Sequence, residues 1–195
     1  MEVMQRKIGL RTIRNGAITL RDASAERLPG VKSFADTSAL LALSRTMVSF
    51  QPAGVALGCY EICREYVLQR RQFDAAIGSM QLAQDKLVRI LALAQGCALH
   101  AWNLARLHEA GDLSHGQASL VKAHNTRASR EAVALARELL GANGMLTDWI
   151  VAKHFCDAEA FYSYEGTYDI NQLVAGRELL KLNAIRPAAT ARAKL

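Results

Sequence analysis

Glu165 stands in the run Tyr164-Glu165-Gly166-Thr167-Tyr168-Asp169-Ile170, between an aromatic residue and a glycine, just ahead of a helical pattern. A carboxylate so placed is chemically able to act as a general base. It reads equally well as an acid at a helix N-terminus, where unpaired N–H groups and the helix dipole attract negative charge. Residue type and spacing leave both readings open. Other constellations are tested more easily. The sequence has no Glu-x-x-His for a di-iron bundle and no His-Glu-x-x-His for zinc hydrolysis. Asp112-x-x-His115 falls in an expected turn, and His100, His108, His115, His124 and His154 read as surface or half-buried residues, so no metal site is expected. Neither a P-loop nor a Gly-x-Gly-x-x-Gly fingerprint occurs. Leu140-Gly141-Ala142-Asn143-Gly144 follows a helical pattern and reads as a helix C-cap and turn.

The elements that must position these residues are mostly helices. Lys7–Thr12 and Ala17–Arg21 alternate in polarity around Asn15-Gly16, which predicts a type I′ hairpin. An isolated hairpin is marginal, and its parent sheet is expected to lie outside the chain. From Asp36, a candidate cap, the pattern predicts a first helix over 37–72, with a kink or break at Pro52. A second opens at Ser79 and stops at Gly111. A third runs from Ser114 or His115 to Leu140, a fourth over 147–161 and a fifth over 168–183. Long helices with short connections argue for a mainly α fold, an antiparallel bundle.

Length and composition bound the rest. At 195 residues one domain is the default, and 51% apolar residues with only 3 prolines suit helices. The formal charge of +6 is spread along the chain, with no arginine-rich tract, so nucleic acid is not an expected partner. Phosphorylated cofactors would suit the same charge. Cys59, Cys63, Cys97 and Cys156 form no disulfide framework and no metal-ligand pattern, and read as free thiols of a reducing compartment. No signal peptide or membrane-length apolar run is present, so a soluble intracellular protein is expected, with no membrane partner.

Several blocks together resemble, in order, the acyl-CoA dehydrogenase and acyl-CoA oxidase flavoenzymes over their last half, from Met4 to Ala188. Arg70-Arg71-Gln72-Phe73, with Gln81 eleven residues after Arg70, is similar to the family's flavin-binding block. Glu138-Leu139-Leu140-Gly141-Ala142-Asn143-Gly144 is similar to its Leu-Gly-Gly-Asn-Gly turn, and Glu165-Gly166-Thr167 to its catalytic signature. The nearest likeness is to plant peroxisomal short-chain acyl-CoA oxidase and to glutaryl-CoA dehydrogenase. The resemblance implies oxidation of an acyl-CoA to trans-2-enoyl-CoA in fatty acid β-oxidation, with FAD as cofactor and oxygen or an electron-transferring flavoprotein as electron acceptor. Glu165 would be the base, its backbone N–H helping to bind the thioester oxygen, and Gly166 and Arg45 would line the acyl-CoA site. Arg70, Gln72, Phe73, Gln81, Glu138, Leu139, Leu140, Gly141 and Ala142 would meet the flavin of a neighbouring subunit in a dimer or tetramer. Thr167 would meet the flavin of its own subunit, and Asp169 would also bind the cofactor.

Taken without the resemblance, Arg45 reads as a helix-surface arginine in a salt bridge. Ala142 and Asp74 stand where the family usually has glycine. The resemblance also implies a division into 1–34, a remnant of a middle β domain, 35–186, the helical bundle, and 187–195, a basic tail. A fragment or truncated copy is therefore expected, and a non-catalytic helical oligomerisation module is the rival reading. The closing Ala193-Lys194-Leu195 resembles a peroxisomal address, with mitochondrial matrix or bacterial cytoplasm as the alternatives.

Overall fold

The structure, a computed structural model, describes residues 2–182. The described residues form six α-helices and two short antiparallel strand pairs. The helices are α1 (Ser38–Val48), α2 (Phe50–Gln69), α3 (Gln81–Glu109), α4 (His115–Leu139), α5 (Val151–Ser163) and α6 (Tyr168–Leu180). The strand pairs are β1 (Glu2–Val3) with β2 (Gly16–Ala17), and β3 (Arg71–Gln72) with β4 (Ala75–Ala76).

α4 is the axle of the bundle and packs against every other α-helix. Its buried positions include Gly116, Ala118, Ser119, Ala123, Ala128, Ser129, Ala132 and Ala136. Such small side chains let neighbouring helices approach closely on several sides. Directions follow from side-chain ties. Asn125 bonds the Ser49 carbonyl and Tyr66 the Leu140 carbonyl, so α2 runs parallel to α4. Lys86 meets Glu138 while Asn125 reaches Cys97, so α3 runs antiparallel to both. Ala56, Cys59, Cys63 and Val67 of α2 meet Ile90, Ala94, Ala132, Val133, Ala136 and Val151 in the central core.

The termini show the local chemistry. Ser114 caps α4 in a reciprocal capping box with Gln117. α3 ends in a Schellman motif, with Gly111 at φ +77°, its N–H on His108 and the Asp112 N–H on Leu107.

Several expectations are corrected. The first helix is two helices, and the break falls at Ser49 rather than Pro52. Pro52 has no N–H and its ring excludes the carbonyl four residues back, so it sits in the first turn of α2 and ends α1 ahead of it. Residues 70–72, expected to end the first helix, instead begin a strap that runs over 70–76. Asp36 does not cap α1; its carboxylate accepts from the Lys32 and Ser33 N–H groups. Ser79 lies in a 3-10 turn before α3, its hydroxyl donating to the Ala76 carbonyl. Thr147 likewise opens a 3-10 turn, and α5 begins only after Ile150, which is left-handed at φ +48°.

Asn15-Gly16 is not a hairpin turn. Gly16 lies in β2 and pairs with Val3, so a longer excursion separates the strands. Lys7 closes that excursion, donating to Leu10 O at 2.8 Å and Asn15 Oδ1 at 2.7 Å. The Leu10 N–H donates to Asp157 of α5 at 2.6 Å, and a Cβ on Gly9 would lie 2.5 Å from the Cys156 carbonyl. The segment therefore docks on the helices. Asn183 and the tail with Ala193-Lys194-Leu195 lie outside the described residues.

Candidate active site

α5 closes at Ser163, and α6 opens with Thr167 as N-cap, its hydroxyl accepting the Ile170 N–H at 3.3 Å. Asp169 is the acid in the first turn of α6. Glu165 lies outside both helices, at φ +54°, and Gly166 follows at φ +85°. The helix-dipole account therefore belongs to Asp169, and Glu165 needs another. A left-handed non-glycine residue costs about 1–2 kcal/mol, so the surroundings must hold it.

Three buried side chains do. Arg45 is 5% exposed and donates through Nε to the Glu165 carbonyl at 3.2 Å. Its Nη1 meets Ser119 Oγ at 3.1 Å and also His115 Nε2. Lys122, wholly buried on α4, donates to the Gly166 carbonyl at 2.7 Å. Asn171 Nδ2, from α6, reaches the Gly166 carbonyl at 2.8 Å and the Thr167 carbonyl at 3.0 Å. A Cβ on Gly166 would sit 3.0 Å from that amide nitrogen, so both φ and space demand glycine. The Glu165 carboxylate is half-buried and accepts the Ser44 hydroxyl at 3.0 Å. Around the turn, Arg130 lies 4.3 Å over the Tyr162 ring, and Tyr162 stacks on Tyr168 at 5.1 Å, tying the ends of α5 and α6 together.

The electrostatics follow from burial. Desolvation pushes Lys122 down to about 8, with Arg45 adding to the shift and Glu165 opposing it. Burial also lowers Arg45, again opposed by Glu165. Burial followed by the Arg45 charge lowers His115. Tyr164 is raised, chiefly by burial and then by Glu165.

The other candidate residues gather at the far end of α2. That helix has 20 residues, roughly 30 Å at 1.5 Å per residue, so Arg45 and Arg70 lie at opposite ends of the bundle. Arg70 is the exposed C-cap of α2 and makes no ion pair among the described residues. Phe73 and Asp74 both have positive φ, +52° and +59°, and join β3 to β4 as a two-residue turn. Asp is among the few side chains that tolerate this conformation, so Asp74 keeps the turn that glycine would favour. Phe73 is 89% exposed, and Gln72 and Gln81 are exposed beside it.

The Gly141–Met145 turn adjoins this end through the Asn143 amide, 3.1 Å from the Tyr66 hydroxyl. Gly141 is left-handed at φ +59°, whereas Ala142 is exposed with negative φ, so its methyl is accommodated. A Cβ on Gly144 would overlap the Arg137 carbonyl. Glu138 is paired with Lys86 at 2.9 Å. Leu139 and Leu140 are buried at 9% and 2% exposure. Their side chains belong to the core, so any contact with a ligand there would run through the backbone.

Arg45 is thus a buried clamp and not a surface arginine. Reasoning from sequence missed Ser44, Ser119, Lys122 and Asn171. One signal was present: Ser119, Lys122, Thr126 and Ser129 recur at helical spacing within a run of small residues that had to be buried.

Residues 34–180 match the family described as acyl-CoA dehydrogenase, C-terminal domain, and the chain belongs to that family. It is similar to the mitochondrial 2-methylacyl-CoA dehydrogenase of Solanum tuberosum, 30% identical over 145 residues, covering 72% of this chain and 34% of the relative. Its structure resembles glutaryl-CoA dehydrogenase from Mycobacterium smegmatis, with a TM-score of 0.84, 32% identity, and coverage of 95% of this chain and 49% of that one. A glutaryl-CoA dehydrogenase from the same organism in complex with FADH2 matches at 27% identity and a TM-score of 0.77, over 81% of this chain and 41% of that one. The chain therefore spans about a third of the curated relative and half or less of the solved ones.

Proposed function

We propose that this chain carries the C-terminal helical part of an acyl-CoA dehydrogenase that converts an acyl-CoA thioester to its trans-2-enoyl product, with Glu165 as the base. The observation that carries this reading is the turn itself. Glu165 is held in an unfavourable backbone conformation by Arg45, Lys122 and Asn171, while its carboxylate stays half-exposed against Ser44. Strain maintained by buried donors is what a positioned catalytic group needs and what a solvated surface acid does not. The α proton of a thioester is weakly acidic, so a base there requires fixed geometry and nearby donors for the oxygen that gains charge.

The residues present fit FAD. Arg70 offers an unpaired, exposed guanidinium fork suited to a pyrophosphate, next to exposed Gln72, Phe73 and Gln81 and to the backbone of the Gly141–Ala142 turn. Thr167 and Asp169 are exposed beside Glu165. When bound, FAD would supply the hydride acceptor for the β carbon. The two groups lie at opposite ends of the bundle, which supports a homo-oligomer in which one chain touches two flavins. The segment proposed as the end of a β domain, 1–34, meets α5 through Gly9 and Leu10. Short acyl groups and glutaryl-CoA are the substrates to try first, and electrons would pass to an electron-transferring flavoprotein or to oxygen. The potato relative is named mitochondrial, and the peroxisomal reading rests on the final tripeptide alone.

The test is direct. The purified chain should hold flavin and bleach on adding butyryl-CoA or glutaryl-CoA, and Glu165→Gln should keep the flavin yet not bleach. Unchanged reduction in that variant removes Glu165 from the base role. A colourless helical oligomer instead supports a non-catalytic assembly module. Peroxide release during turnover would separate oxidase from dehydrogenase.

A further inference from the structure

Lys122 is an expensive residue to bury. An ammonium removed from water costs on the order of several kcal/mol unless it is paired and hydrogen-bonded, and Lys122 has no exposed surface. Its hydrogen bond goes to a neutral carbonyl, that of Gly166 at 2.7 Å. Asn171 Nδ2 already serves the same oxygen at 2.8 Å, so satisfying that carbonyl does not require a lysine. What the lysine adds is direction and charge. A trans peptide is planar, with C=O and N–H pointing opposite ways. Arg45 draws the Glu165 carbonyl inward and Lys122 draws in the next one. The N–H groups of Gly166 and Thr167 must then point away from the bundle interior, on the open side of the turn.

We propose that Lys122 is a positioning residue for this site: its ammonium pins the Gly166 carbonyl and so fixes the left-handed turn that presents the Glu165 carboxylate to a thioester and keeps the Gly166 and Thr167 N–H groups on the open side. The catalytic part of this statement rests on the reading of Glu165 as base; the geometric part does not. The charged and titratable groups facing Lys122 are Arg45 from α1 and Glu165 from the turn, with the Tyr164 ring 5.9 Å from Nζ. His115 of α4 enters one contact further on, through Arg45, and α6 presents the neutral Asn171. Burial brings the ammonium's own titration to about 8. His115 is lowered from 6.5 and Tyr164 raised from 10.0, so neither shares that window.

The experiment uses the full chain labelled with ¹³C and ¹⁵N, with Lys122→Met and Lys122→Arg beside it. Methionine fills nearly the same volume and leaves Asn171 on the Gly166 carbonyl, so Lys122→Met should keep its helical circular dichroism and lose no stability to urea. In the wild type the Gly166 carbonyl carbon should titrate with a midpoint near pH 8. In Lys122→Met that titration should vanish, and the Gly166 and Thr167 amide resonances should move. Lys122→Arg keeps a charged donor, so it should restore the amide positions in part without restoring the titration. Unmoved resonances for 165–167 in a folded Lys122→Met overturn the proposal. Should Lys122→Met not fold, the wild-type titration decides, and a Gly166 carbonyl flat through the ordinary lysine range as well, up to about pH 11, overturns it. None of these readouts needs flavin or substrate, so their failure is distinct from a failure of Glu165→Gln to block bleaching.

Discussion

Glu178 of α6 closes the N-terminus of α4: its Oε2 accepts the Gly116 N–H at 2.6 Å, and its Oε1 accepts the Ser114 hydroxyl. The carboxylate meets the positive end of the helix dipole and one of the N–H groups that no helix can satisfy internally. Gly116 makes room, since a Cβ there would lie 2.5 Å from the Glu178 carboxyl carbon. Glu178→Ala is expected to cost about 1–2 kcal/mol, as for the loss of a cap, measured as a lower urea midpoint. Gly116→Ala displaces the same carboxylate, so the double variant should lose less than the sum of the two.

Arg45 binds three acceptors at once, the Glu165 carbonyl, Ser119 and His115. Arg45→Leu leaves them without that donor and should cost about 1–3 kcal/mol for each group left unsatisfied. Arg45→Lys should not recover the loss, because an ammonium lacks the planar fork. Urea unfolding of both variants checks this, and equal stability of Lys and Arg at this position would contradict it.

Gly166→Ala meets two penalties, a left-handed backbone at φ +85° and the Asn171 amide 3.0 Å from the new methyl. Conformation alone is worth about 1–2 kcal/mol. A lower melting temperature is expected, together with loss of any substrate-driven flavin bleaching.

Alkaline stability should be governed by thiols. Burial pushes Cys59, Cys63 and Cys97 up to about 12 from 9.0, with Cys59 adding to the shift at Cys63. In the unfolded chain they ionise above pH 9, whereas the folded core keeps them neutral. The unfolded state then binds fewer protons, so this stability is complete below pH 9 and is lost as pH climbs toward 12. Lys122 acts with the opposite sign. Its folded value of about 8 is below the ordinary 10.5, so the cost of its buried charge is relieved between pH 8 and 10.5. The urea midpoint should therefore rise slightly from neutral pH to about 8.5 and fall beyond. Cys97→Ala should flatten the fall, and an unchanged slope would contradict the assignment.

The helical architecture was legible because the signals that made it are local. Ser114, Gly111 and Thr167 stand where caps must. The strap at 70–76 was not legible. Phe73 and Asp74 form a two-residue turn at positive φ without a glycine, whereas Asn15-Gly16, the better turn sequence, is held by β1 and Lys7 in another role. The clamp on Glu165 was half legible. Glu165, Gly166 and Arg45 were readable from motif, but Lys122 and Asn171 are ordinary polar residues until tertiary packing encloses them.

Because α4 touches every neighbour, its length cannot drift. One residue inserted between Ser119 and Lys122 would swing everything beyond it by about 100° around the helix axis, at 3.6 residues per turn. The ammonium would leave Gly166 while Ser119 kept its hold on Arg45, and the surfaces facing α2, α3 and α5 would fall out of step together. The exposed turn at Phe73-Asp74 has no such obligations. Insertions that survive selection should collect there and stay out of the central rod.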